Sequence, residues 1–342
     1  MFASSRTAGM RGFSASRSMC LWAALAVLLA MVLTAWPGAY RFKRWQYRSF
    51  FSGPSGQGQS GGSAGFNYKY AVAYQAKDRS DSLYAGLDVD SPTGEDNYFL
   101  SARSTSDLYA GVADGVGGWV EHGHDSSAIS RELCAAMSEF AMLTKDNRSF
   151  TPKQLIDMAY SKIKQEGQVK AGGTTAIVAH FPPSGKLELA NLGDSWCGVF
   201  RDSKLVFQTK FQTVGFNAPY QLAIIPKDLA KEAAGRGSSY IQNKPSDADE
   251  YQFQLKSNDV IVLATDGVTD NIATGDMELF LGNNANATDL QQVTQKFVNQ
   301  VVNLSKDSSF PSVFAQEISK LTGKQYLGGK EDDITVVVVR VD

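Results

Sequence analysis

Carboxylates in short, mostly glycine-flanked motifs dominate the chemistry that this chain can offer. The motifs read Gly94-Glu95-Asp96-Asn97, Asp114-Gly115-Val116-Gly117-Gly118, Gly193-Asp194-Ser195, Asp266-Gly267-Val268-Thr269-Asp270 and Asp332-Asp333-Ile334-Thr335. Four of the five adjoin a stretch rich in β-branched residues, so a folded sheet can gather them at one edge. Gathered carboxylates repel, and burying them is costly unless a cation neutralises them. No Cys or His accompanies them, and an all-oxygen donor set favours Mg²⁺ or Mn²⁺ over zinc. These residues predict a carboxylate-rich, multi-metal hydrolytic site.

The elements that must position these motifs show period and punctuation. Phe99-Leu100 and Leu108 to Val112 read as an antiparallel pair, and Ser126 to Thr144 as an amphipathic helix with Ile129, Leu133 and Met137 on one face. Thr151-Pro152 marks a second helix start, with Thr as the N-cap and Pro at the first helical position. A meander follows over Ala176 to Phe181, Lys186 to Asn191, Trp196 to Arg201 and Leu205 to Thr209, turning at Pro183-Ser184-Gly185 and Asp202-Ser203. Asp259 to Ala264 and Ile334 to Val341 are apolar enough to be buried strands. Leu290 to Leu304 and Ser312 to Leu321 carry helical spacing. Helices mixed irregularly with antiparallel hairpins point to an α+β fold.

Composition narrows the function. No acid precedes Asp78, and residues 1 to 77 hold nine Lys or Arg; the other 24 face all 35 acids, a net charge of about −11. That balance argues against a nucleic-acid partner, which needs a basic face. Cys20, Cys134 and Cys197 are odd in number and far apart, so no disulfide framework is expected; Cys134 and Cys197 read as small core residues.

The N-terminus is of a different kind. Residues 1 to 18 are rich in Arg, Ser and Ala, the composition of a mitochondrial targeting segment. Met19 to Trp36 is an uncharged apolar run which, as a helix of ~27 Å, matches the hydrocarbon thickness of a bilayer. Trp22, Trp36 and Tyr40 flank it, and Arg41, Lys43, Arg44 and Arg48 follow. Residues 19 to 36 are therefore expected to anchor the chain in a membrane, with residues 37 to 65 as a basic, then Gly/Ser-rich linker. A mitochondrial membrane is favoured; the nuclear envelope or endoplasmic reticulum is the alternative, because a signal anchor has the same make-up. The catalytic domain spans 66 to 342.

In order and spacing, the five motifs and Gly172-Gly173-Thr174-Thr175-Ala176 resemble the type 2C family of metal-dependent protein serine/threonine phosphatases over about residues 67 to 342. Val112 to Trp119 further resembles the fungal and animal mitochondrial branch. The resemblance implies a four-layer αββα fold, with a central sandwich of two antiparallel sheets flanked by helices. It implies hydrolysis of phosphoserine and phosphothreonine by direct attack of a metal-bridging water or hydroxide, with two Mg²⁺ or Mn²⁺ ions clamping the displacement. Asp114 then bridges the ions, Glu95 and the Gly115 carbonyl hold one, and Asp266 and Asp332 hold the other. Asp96 and Asp333 orient water or ligands. Asp194 and Asp270 match a weaker third site, with turn capping or hydrogen bonding as the other reading. Gly172, Gly173 and Thr174 permit tight strand packing. Phosphoproteins are the expected partners, among them mitochondrial metabolic proteins such as those of coenzyme Q synthesis.

Two departures accompany the match. The animal cytosolic members have a His after the Asp-Gly pair, read as a general acid, where this chain has Val116. They also have an Arg four residues before the Glu, read as the phosphate grip, where this chain has Ser91. His122 and His124 are read as surface residues and His180 as structural. Thr209 to Pro226 falls at the family's variable flap, as a recognition loop or a packed one. A catalytically silent phosphatase-fold domain that binds phosphoproteins is the alternative function. A two-metal nuclease is disfavoured by the acidic balance.

Overall fold

A computed structural model of the chain describes residues 65–79, 91–143 and 149–342. The chain enters through strand β1 (Tyr68–Gln75) and continues through β2 (Asn97–Ser104), β3 (Asp107–Ala113) and helices α1 (Ala128–Met142) and α2 (Pro152–Glu166). Then come β4 (Gly172–Thr174), β5 (Ala176–Phe181), β6 (Lys186–Leu192), β7 (Trp196–Arg201) and β8 (Lys204–Gln208). A flap region follows, with β9 (Thr213–Gly215), β10 (Ala218–Pro219), β11 (Leu222–Ile224) and α3 (Lys227–Gly235). The chain closes with β12 (Asp249–Gln254), β13 (Val260–Ala264), α4 (Asp266–Thr269), α5 (Thr274–Asn283), α6 (Leu290–Ser305), α7 (Val313–Thr322) and β14 (Ile334–Val341).

Two five-stranded antiparallel sheets, ordered β1-β14-β13-β7-β8 and β12-β6-β5-β3-β2, stack face to face. Strand alternation divides the apolar residues among three layers. Val337 and Val339 of β14 meet Ile177 and Ala179 of β5 between the sheets. Val336 and Val338 point the other way, onto Phe297 and Val301 of α6. On the far side Tyr109 and Val178 pack against Leu133 and Met137 of α1 and Leu155 of α2. Each fully buried Val or Leu contributes about 1.5–3 kcal/mol relative to exposure. Those layers make the α+β, four-layer αββα sandwich. Cys134 and Cys197 both lie in the core, where burial pushes their thiols up.

Local chemistry sets the ends of the elements. The Thr151 hydroxyl accepts the Gln154 N–H, the Gln154 side chain accepts the Thr151 N–H, and Pro152 opens α2. Helix α1 begins two residues later than its sequence pattern, because Ser126 donates to Glu95 and the Ser127 N–H to Asp125. The basic leader and the apolar run Met19 to Trp36 lie outside the described residues. Among the described residues no helix is long and apolar enough to cross a membrane.

Candidate metal centre

Antiparallel register carries all five acidic motifs to one end of the sandwich. Ala113, the last residue of β3, lies opposite Asn97 of β2, so Asp114 comes beside Glu95 and Asp96. Ala264 at the end of β13 lies opposite Val336 of β14, which brings Asp266 beside Asp332 and Asp333. β6 ends at Leu192, two residues before Asp194. Gln75 of β1 lies opposite Ile334, which delivers Lys77 and Arg79 to the same end. The fold thus joins residues 238 apart: the Glu95 N–H donates to Asp333 Oδ2 at 2.8 Å.

Buried and solvent-facing carboxylates divide the cluster. Glu95, Asp96 and Asp333 are buried, at 2%, 1% and 3% exposure. Ser126 Oγ donates to Glu95 Oε1 at 2.5 Å, and Thr265 Oγ1 to Asp96 Oδ2 at 2.7 Å. Asp333 accepts from the Lys77 N–H, the Glu95 N–H and Arg79. Asp114, Asp194, Asp266, Asp270 and Asp332 are half-buried and open toward solvent. Thr175 steadies two motifs, since its hydroxyl accepts the Asp114 N–H at 3.0 Å and pairs with Ser195 Oγ at 2.7 Å. Two glycines make the close approach possible. Gly94 has φ +76°, and a Cβ there meets Asp333 Oδ1 at 2.1 Å; a Cβ on Gly115 meets the Glu95 carbonyl at 2.5 Å.

Among the described residues, three cations answer these eight carboxylates. Lys77 Nζ lies 2.7 Å from Glu95 Oε2 and 3.0 Å from Asp332 Oδ1. Arg79 bridges Glu95 and Asp333. Lys330 Nζ touches Asp266 Oδ2 at 2.8 Å and Asp270 Oδ2 at 2.5 Å. The charge is still lopsided. Burial, then the neighbouring charges of Asp266 and Asp96, hold the Asp114 carboxyl well above the ordinary range. Asp96 is raised by burial and by Asp333. Asp194 is pushed up to about 8 by burial and by Asp266, and Asp270 to about 7 by the same two causes. Burial opposes ionisation of Asp332 too, yet Lys77 and Lys330 outweigh it and hold that carboxyl below the usual range.

These residues fit a hard divalent cation. The donors are all oxygen, and the buried Asp96 Oδ1 and Asp194 Oδ1 have no hydrogen-bond partner among the described residues. As the side chains stand, no three described acid, imidazole or thiolate groups converge on one point. The ammonium groups of Lys77 and Lys330 stand between the acids, where positive charge is in demand.

The remaining predicted residues fall around this cluster. Ser91 Oγ pairs with Thr93 Oγ1 at 3.0 Å and carries no charge toward a phosphate. His122 is exposed and leans on Trp119, with ring centroids 6.2 Å apart. His180 is buried between Asp107 and Glu188, far along β5 from the motifs. A Cβ on Gly173 meets Gln221 Oε1 at 1.8 Å, where β4 pairs with β11. In the flap, Leu222 and Ala223 are buried at its base, while Phe211, Val214 and Phe216 are exposed. Lys77, Arg79 and Lys330 are the residues that sequence reasoning missed. Lys330 had a signal, a lone cation two residues before Asp332. Lys77 and Arg79 had none without the register of β1.

Known proteins resemble the chain throughout this fold. The stage II sporulation protein E family (SpoIIE) matches residues 104–342. The mitochondrial protein phosphatase 2C homolog 7 of Saccharomyces cerevisiae is 68% identical over 292 residues, covering 83% of this chain and 85% of the yeast protein. A protein phosphatase PTC7 homolog of Drosophila willistoni is 33% identical over 272 residues, covering 78% and 83% of the two chains. Among solved structures, the photosystem II phosphatase PBCP superposes with a TM-score of 0.65 at 25% identity, covering 80% of this chain and 99% of that one. The chain belongs to the type 2C family of metal-dependent protein serine/threonine phosphatases.

Proposed function

We propose that this phosphatase works through a two-ion centre for which Asp114 would be the shared ligand. Glu95 and the Gly115 carbonyl would help hold one Mg²⁺ or Mn²⁺, Asp266 and Asp332 would help hold the other, and Asp194 and Asp270 would serve a weaker third. When bound, the ions supply Lewis acidity that draws a proton from water and neutralises phosphoryl charge. Asp96 and Asp333, held by Thr265, Arg79 and backbone N–H groups, keep the ligand turns in place. A P–O bond to water forms as the P–O bond to the serine or threonine oxygen breaks. The departing oxygen takes a proton from solvent, since Val116 cannot donate one, and the proton lost by the attacking water returns to solvent. The observation that carries this reading is the register that stacks five acidic motifs at one sheet end.

Activity with no bound metal is the result that this reading forbids. Hydrolysis of a phosphoserine peptide in Mn²⁺, compared with excess EDTA, is expected to fall to background in EDTA; a retained rate contradicts it. A silent phosphoprotein-binding domain predicts no hydrolysis in either condition. The enzyme is further proposed to act on phosphoproteins of the mitochondrion, the compartment in the name of the yeast relative. Residues 19 to 36 are proposed to anchor it in a membrane through the Gly/Ser linker. Release of the full-length protein by alkaline carbonate refutes the anchor.

A further inference from the structure

Lys330 lies in no acidic motif, and the roles above leave its ammonium group unassigned. Its backbone is held from both sides by Asn271, which is 1% exposed. Asn271 Nδ2 donates to the Lys330 carbonyl at 2.8 Å, and Asn271 Oδ1 accepts the Lys330 N–H at 2.9 Å. From that frame the side chain reaches two regions at once. Its Nζ lies within 3.3 Å of carboxylate oxygens of Asp266, Asp270 and Asp332. It also donates to Asn217 Oδ1 at 3.3 Å. Asn217, with φ +51°, lies in the turn of the β9–β10 hairpin. Next to it Phe216 packs on Phe314 with centroids 5.1 Å apart, and Lys330 Nζ stands 5.2 Å over the same Phe314 ring. The strand before that turn, Thr213–Gly215, is exposed throughout.

We propose that Lys330 is a positioning residue that clasps the flap hairpin to the carboxylates in the ion-free enzyme and lets it go when a divalent ion takes those oxygens. The inference rests on the two-ion reading above. An ammonium group in contact with these oxygens competes with a divalent cation for them, because like charges repel and the ion has the larger charge. The four-carbon stem of lysine is flexible, so the displaced group can leave its site without moving the backbone that Asn271 holds. Asn217 then loses its donor, and the exposed Phe211, Val214 and Phe216 are free to meet the substrate chain. Linkage makes the coupling reciprocal: a residue that competes with the ion for its ligands also weakens ion binding.

Hydrogen–deuterium exchange on the full chain, with Mn²⁺ as the probe and calorimetry for its affinity, tests this. In the wild type, saturating Mn²⁺ is expected to speed exchange of residues 213–219 at least threefold. Lys330→Met should exchange there at the fast rate without Mn²⁺ and should bind Mn²⁺ at least threefold more tightly. Asn217→Gly leaves every carboxylate in place and tolerates the positive φ at that turn, so it guards against a folding defect; it should show the same fast, unresponsive hairpin. Mn²⁺ binding without a hairpin response in the wild type overturns the clasp, as does a wild-type response in either variant. Absence of Mn²⁺ binding by the wild type overturns the two-ion reading, and the clasp with it.

Discussion

Strand β3 carries an acid at each end, and the two ends are neutralised in opposite ways. At the start, Asp107 lies 3.0 Å from His180 Nε2 and 3.5 Å from Arg103 Nη1. Glu188 lies 3.4 Å from the other ring nitrogen, and Tyr109 stacks flat on the imidazole at 4.1 Å. Each acid there has a partner from the chain itself. At the far end, Asp114 shares its surroundings with seven other carboxylates and three cations. One strand thus separates a closed polar network from an open one. Among the described residues the carboxylates at the open end outnumber the cations, and it is there that the metal ions are proposed to bind.

The largest expected effect breaks the comparison at its two ends. Asp114→Ala should lower phosphopeptide turnover at least about a thousandfold, because losing a shared ligand forfeits several kcal/mol of charge stabilisation and each 1.36 kcal/mol is tenfold. Asp266→Ala and Asp332→Ala should be comparably severe, and Asp194→Ala milder, at about tenfold. Asp107→Ala should instead leave turnover within about threefold and cost about 1–3 kcal/mol of stability, by stripping a partner from buried His180. Steady-state kinetics and thermal melts on the same preparations separate the two outcomes.

Acidity sharpens the contrast. Asp194 and Asp270 have carboxyls raised to about 8 and about 7 from an ordinary 3.8. Between those limits the folded, ion-free protein keeps protons that the unfolded chain has released. Stability from these two groups is therefore full below about pH 4, declines as pH rises from there, and is gone above about 7 to 8. An entering ion must displace the same protons, so the rise in melting temperature on adding Mn²⁺ should be larger at pH 8 than at pH 6. An equal or smaller shift at pH 8 contradicts the assigned protonation. A smaller effect is expected from the histidines. The double change His122→Ala, His124→Ala should leave phosphopeptide hydrolysis within about tenfold, below the 10²–10⁴ of a lost general acid. A larger loss confined to the phosphopeptide, sparing an aryl phosphate, contradicts that.

The acids were legible in the sequence because each motif closes or opens a strand with a strong pattern. β14, Ile-Thr-Val-Val-Val-Val-Arg-Val, is buried on both faces and has no other reading. The turn at Asp202-Ser203 was legible because both residues adopt positive φ, 50° and 61°, where short polar side chains are favoured. Helix α3 was not legible, because it is short and fully buries no residue, its apolar face being little more than the half-buried Leu229 and Ala233. β1 was missed as an element, and Lys77 and Arg79 with it, because a cation placed by strand register leaves no local mark. The sandwich itself came from the family resemblance, since period-2 patterns do not say which face meets which sheet.

Crystals of the full-length enzyme soaked in Mn²⁺ and measured for anomalous scattering test the central claim most directly. Two strong peaks are expected flanking the Asp114 carboxylate, with none near Asp107, and both are expected to be lost in Asp114→Ala crystals. Peaks that avoid Asp114, or that survive its removal, contradict it.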